Sequence, residues 1–197
     1  MESELLSRDK VPIGAVPEFL GTGIYVIYYD GDNPIYEQIA DTGVPIYVGK
    51  AVPKGSRKGL SDESVVAKEL WGRVIEHRES LEYAEDLSVE HFKVRYLVAE
   101  EIFIPLAERL MIRTFRPVWN QVVDGFGNHV PGSGRYDGRP SFWDILHPGR
   151  PWVLKLTGTP KFTRSEVRAL VLAHFANVLL ISSDAVILPP LGFGDND

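Results

Sequence analysis

Apolar side chains fill both alternating registers of residues 23–29, GIYVIYY. Such a run leaves no face for water and predicts a strand covered on both sides. Asp30-Gly31-Asp32-Asn33-Pro34 breaks it. PIYVG at 45–49 predicts a second short strand. The 14 residues between Tyr29 and Val44 exceed a tight hairpin, so an excursion is inserted there. Val66, Leu70, Val74 and Ile75 recur at helical spacing and predict a helix over 64–81. Over 90–98, Phe92, Val94, Tyr96 and Val98 alternate with His91, Lys93 and Arg95, the pattern of a half-buried strand. A second helix is expected over 105–115, opened by a first-turn proline and stopped at Pro117.

Beyond it the pattern fails. Ten of the 28 residues in 124–151 are glycine or proline, and no periodicity survives. A stretch this long inside a domain reads as functional or disordered. Residues 152–156 then suggest a strand. Thr163 to Glu166 form a capping box that opens a helix to about Ala176. Short apolar runs at 178–181 and 186–188 suggest two closing strands. The order is β-β-α-β-α, a loop, then β-α-β. It predicts an α/β core of the α+β kind, a small sheet flanked by helices, with a C-terminal α/β elaboration. At 197 residues the chain suits a single domain, 1–197.

Composition narrows the chemistry. No cysteine is present, which excludes disulfides, thiolate zinc sites, iron–sulfur clusters and a cysteine nucleophile. The N-terminal ten residues are acidic and carry no signal-like apolar core, and no run reaches membrane-spanning length. A soluble intracellular protein is expected. The net charge of −6 argues at first against a nucleic-acid partner. The charge is uneven, however. Residues 48–78 carry 7 basic and 4 acidic groups, and 109–161 carry 8 and 3. Two basic blocks between acidic ones are either a binding face or a solvated surface.

Candidate chemistry lies on the predicted elements. Arg73 and His77, four apart, share a face of the first long helix, rotated from its apolar stripe. Glu108 interrupts the stripe Ile104–Ile112–Phe115, so it calls for an ion-pair partner, such as an arginine, or a metal. Tyr25 and Tyr47 sit on neighbouring strands, where tyrosine is ordinarily core. Together these five residues are a set able to do phosphodiester chemistry.

Gly23-Ile24-Tyr25 followed by Tyr47-Val48-Gly49 resembles the signature of the GIY-YIG nuclease superfamily. Arg73, His77, Glu108 and Asn120 follow in the family's order, and the likeness covers about residues 20–120. The tyrosines are 22 positions apart, about twice the spacing of compact members. That insertion, the Arg-x-x-x-His on the helix and the C-terminal elaboration resemble the type II restriction endonucleases of the Eco-29kI group. The resemblance implies a nuclease core over 20–120, a DNA-recognition loop over 121–151 and an elaboration over 152–197. It implies double-stranded DNA as substrate, a double-strand cut in the GC-rich palindrome CCGCGG, and one Mg²⁺ (or Mn²⁺) held by Glu108. Tyr25 would be the general base, as phenolate or relaying through His77. Arg73 would neutralise the phosphate, Tyr47 would orient water or phosphate, and Asn120 would brace Glu108 or the metal shell.

Lys50, Lys54, Arg57 and Lys58 form one basic loop, and Arg113, Arg116, Arg135, Arg139 and Arg150 form a second block offered to DNA. Arginine suits guanine edges and phosphates alike. A palindromic cut implies a two-fold homodimer on DNA, with 33–42 and the C-terminal elements as interface candidates. By the same resemblance the enzyme works in the bacterial cytoplasm beside a cognate DNA methyltransferase. The rival readings are a modification-dependent or nicking enzyme on this core, a silent DNA-binding module, and a structural α/β protein.

Overall fold

The computed structural model describes residues 1–52, 68–131 and 136–185. Lys54, Arg57, Lys58 and Arg135 lie outside these residues, as do the start of the 64–81 helix and the 186–188 strand. The described residues form four strands: β1 (Val11–Pro12), β2 (Gly23–Tyr29), β3 (Pro45–Ala51) and β4 (Phe92–Val98). They make one antiparallel sheet in the order β1-β4-β2-β3. The all-apolar run sits on β2, hydrogen-bonded on both sides, and all seven of its residues are buried. Its alternate residues feed two cores. Tyr25, Ile27 and Tyr29 enter one; Ile24, Val26 and Tyr28 enter the other.

Among the described residues six helices cover the sheet: α1 (Glu2–Ser7), α2 (Glu69–Tyr83), α3 (Ile104–Phe115), α4 (Val118–Gln121), α5 (Phe142–Leu146) and α6 (Arg164–Asn177). Leu5 and Leu6 of α1 and Ile104, Ala107, Met111 and Phe115 of α3 close the second core. Helices α2, α4, α5 and α6 close the first. The fold is α+β, a small sheet between helical layers. Proline near the start of α3 costs no intrahelical bond, and Arg116 ends the helix in the left-handed region at φ 47° before Pro117. The Thr163–Glu166 capping box opens α6 as expected. No helix among the described residues is long and apolar enough to cross a membrane.

Several expectations are corrected. Strand β4 keeps the expected alternation from Phe92 to Arg95, but at its end Leu97 is the buried residue and Val98 is 49% exposed. Residues 152–156 form no strand. Val153–Lys155 is a 3₁₀ turn that folds back on the Arg150 carbonyl, and Leu154 is 87% exposed. Residues 178–181 leave α6 without joining the sheet, so the described C-terminal residues are a helix laid on the core rather than β-α-β. The stretch 124–151 is not all open loop: it carries α5, and Phe126, Trp143, Leu146 and Arg150 are buried. The acidic N-terminus hides α1, unseen because six residues are too few to show a period.

The insertion after β2 also turns inward. Ile35, Tyr36 and Ile39 are buried. Trp119 donates to the Tyr36 hydroxyl at 2.8 Å, and Tyr36 bonds His147 Nε2 at 2.6 Å. His147 Nδ1 meets Asp86 at 3.0 Å, and Arg164 donates to the same carboxylate at 2.5 Å. Burial holds the His147 ring below its ordinary pKa, so it stays neutral and links the two. The insertion, α4, α5 and α6 are thereby tied together, which fixes the layer behind the site.

Candidate active site

Tyr25 lies at the middle of β2, opposite Gly49 of β3. A Cβ on Gly49 would stand 2.3 Å from the Tyr25 hydroxyl, so only glycine leaves room for the ring across the strand. This links the two halves of the GIY…YVG pattern physically. Gly49→Ala should displace Tyr25 and lower stability by about 1–3 kcal/mol, the usual cost of overpacking. Denaturant titration reads the loss, and turnover should fall with it. Wild-type values for both would contradict the packing.

The Tyr25 hydroxyl meets His77 Nε2 at 2.6 Å. His77 was expected on a helix face turned from the core. It is instead 1% exposed, because Leu70, Val74, His77 and Leu81 form one buried stripe of α2. Phe126 stacks on its ring, with centroids 4.3 Å apart and an interplanar angle of 17°. Tyr47 packs edge-on against both His77 and Phe126, at 5.2 and 5.1 Å. Arg73, one turn before His77, donates to the Gly127 carbonyl and to Glu76, each at 2.8 Å. Its other neighbour is His129 Nε2, at 2.6 Å. Phe126, Gly127 and His129 are the residues the sequence reading missed. Their only signal was an aromatic and a histidine inside a glycine-rich stretch.

Electrostatics assigns protonation states. Burial pushes the Tyr25 phenol well above its ordinary value of 10, and Tyr47 adds to this while Arg73 opposes it. Burial raises Tyr47 as well, with Arg73 pulling down and Glu108 pushing up. Burial holds His77 well below 6.5, and the Arg73, Arg150 and His129 charges push the same way. Burial therefore favours the neutral form of both partners in this contact. Burial thus works against a standing Tyr25 phenolate, while Arg73 works for one.

Glu108 lies one turn into α3, partly buried, and pairs with Lys50 of β3. The partner is thus a lysine rather than an arginine. Lys50 is the one basic-loop candidate among the described residues, and its ammonium sits on the carboxylate rather than free in solvent. Glu108 is close enough for its charge to raise both phenols. The Asn120 side-chain hydrogen bonds go to Val48 rather than to Glu108. The amide accepts from Val48 N–H and donates to Val48 C=O, both at 2.8 Å. Among the described residues strand β3 is the sheet edge, so Asn120 satisfies backbone groups that no further strand of theirs reaches.

The remaining basic candidates separate by burial. Arg113, Arg116 and Arg139 are exposed. Arg109, Arg113 and Arg116 line a cleft of about 420 Å³ with Ile112 and Gln121, beginning one residue after Glu108. Arg150 is 2% exposed and bonded to main-chain carbonyls, so it offers nothing to DNA. Among the described residues, no three His, Asp or Glu side chains gather into a metal-binding group. Among the described residues Glu108 is the hard oxygen donor beside the two tyrosines. One carboxylate, with phosphate oxygens and water completing the shell, is a set Mg²⁺ accepts. The ammonium already seated on Glu108 marks a spot that favours a cation.

A model of the family described as the Eco29kI GIY-YIG domain matches residues 17–175, most of the chain. No curated protein matches it.

Proposed function

From the chain's membership of the Eco29kI GIY-YIG family, which makes it a restriction-type endonuclease acting on DNA, we propose that it is a type II enzyme making a double-strand cut in a GC-rich palindrome, CCGCGG. The observation that carries the chemistry is the Tyr25–His77 contact at 2.6 Å, with Tyr47 and Arg73 around it and Glu108 beside it. Water attacks phosphorus, its oxygen forms the new P–O bond, and the bond to the 3′ oxygen breaks with its electron pair leaving on that oxygen, which takes a proton from solvent. The water's proton passes to the Tyr25 oxygen while the Tyr25 proton passes to His77 Nε2. Arg73 is held by Gly127 and Glu76 with its charge aimed at the tyrosines, where it neutralises the extra charge of the five-coordinate phosphate. Tyr47 orients the water or the phosphate. Glu108 would hold Mg²⁺ or Mn²⁺, which when bound supplies a Lewis acid for the developing charge.

Arg113 and Arg116, with Arg109, are suited to phosphates leading away from Glu108. Arg139 is exposed for the same role or for a guanine edge. Two cuts related by a dyad call for a homodimer on DNA. A host carrying this enzyme would protect its own sites with a methyltransferase.

The test is digestion of unmethylated plasmid and genomic DNA with Mg²⁺, followed by sequencing of the ends. Discrete fragments sharing one palindrome are expected. Nicks alone, or cutting confined to modified DNA, would replace the type II reading with its nearest rival. Binding without any cleavage would make the chain a silent DNA-binding module.

A further inference from the structure

We infer that Arg150 is a positioning residue of the catalytic cluster, acting through the Gly125–Gly127 backbone that it shares with Arg73. Arg150 donates to the Gly125 carbonyl at 2.9 Å and to the Phe126 carbonyl at 2.5 Å. The next carbonyl, Gly127, receives Arg73 at 2.8 Å. Between these bonds the Phe126 ring lands on His77. Three consecutive residues therefore take two guanidiniums on their main chain and set the ring face of a third functional side chain. The segment has no helix or strand to fix it. Gly125 needs its positive φ of 96°, and a Cβ there would lie 2.0 Å from Ser141 Oγ. The planar fork of Arg150 supplies the order that regular structure does not.

Stability alone does not account for a guanidinium in this place. Arg150 and its partner Asp144 are each 1% exposed at the side chain, and their contact is long, at 3.3 Å. Among the described residues the Arg150 Nε has no hydrogen-bond partner. Trp143 lies under the cation at 4.0 Å. Burial pulls the guanidinium down to about 10 against the raising effect of Asp144. Well-packed apolar residues commonly replace such a pair without loss of stability. Arg150 differs from them in gripping two adjacent carbonyls and in placing a fixed charge behind the site. That charge adds to burial and to Arg73 in keeping His77 neutral. The other groups facing His77 are Tyr25 from β2, Tyr47 from β3 and His129 from the loop.

The test compares Arg150→Lys with the double variant Arg150→Met/Asp144→Asn, which leaves no buried charge unpaired. Affinity for cognate duplex without metal should stay within about twofold, because Arg150 touches no DNA. In both variants kcat should fall about 10²-fold with KM unchanged, the usual effect of misplacing reacting groups by about 1 Å. NMR titration of the His77 ring should find its midpoint moved up in the double variant and near wild type in Arg150→Lys, which keeps the charge. The kinetic arm rests on the nuclease reading above; the NMR arm does not. A wild type that cuts nothing would overturn that reading and leave the His77 titration to decide this one. Folded variants that keep kcat and the wild-type titration would reduce Arg150 to packing and overturn the inference. A rise in Kd with kcat intact would also overturn it, by making Arg150 a DNA contact.

Discussion

Glu108→Gln should lower cleavage by about 10³-fold or more, since a carboxylate-held metal contributes several kcal/mol to such transition states and each 1.36 kcal/mol is a factor of ten. Duplex affinity should persist. Glutamine is close to isosteric, and the Glu108 side chain lies in a partly buried position that tolerates an amide. The Lys50 ammonium, now seated on Glu108, loses its ionic partner in the variant and becomes available to phosphate. DNA binding without metal should therefore stay equal or tighten. Anisotropy on a labelled cognate duplex reads the affinity, and single-turnover digestion reads the rate. Loss of binding in step with cleavage would make Glu108 a structural anchor for Lys50. Retained cleavage would remove it from the mechanism.

Local chemistry was legible wherever it repeats along the chain. The doubly apolar β2, the capping box of α6 and the apolar stripe of α3 all follow from spacing. Glu108 was legible because an acid in an apolar stripe needs a partner, although the partner's identity came only with the fold. His77 was misplaced for a physical reason. A histidine counts as polar in a pattern, yet Leu70, Val74 and Leu81 share its face, and a neutral ring bonded to a phenol behaves as core. Residues 152–156 and 178–181 resemble strands in sequence because short apolar runs look alike whether or not another strand is at hand to pair them. The order in 124–151 is tertiary. It comes from Arg150 gripping carbonyls and from Phe126 and Trp143 packing against Trp119, none of which leaves a period. Asn120 could be placed near the site by resemblance, but its bonds to Val48 depend on β3 being the sheet edge.

Tyr25→Phe should lower kcat by about 10²–10⁴-fold, the range of a lost proton-transfer partner. The fold should hold, because the ring still fits over Gly49 and only the hydroxyl is removed. The wild-type pH profile separates the two ways Tyr25 can act. Burial raises its pKa well above 10, so a phenolate mechanism would make the rate climb about tenfold per pH unit through the alkaline range. A neutral relay to His77 predicts a flat profile from about pH 7 to 9. On the acid side, burial keeps His77 neutral well below 6.5, so the rate should hold as pH falls through that value. Stability moves differently. The folded state holds His77 and His147 below their unfolded pKa, so the unfolded chain takes up protons first as pH drops below about 6.5, and stability declines from there. Unfolding must therefore be followed at each acidic pH, so that loss of fold is not read as titration of the relay. A rate that climbs tenfold per unit from pH 7 to 9 would restore the phenolate. A Tyr25→Phe enzyme with wild-type kcat would leave the 2.6 Å contact as packing and move the base elsewhere.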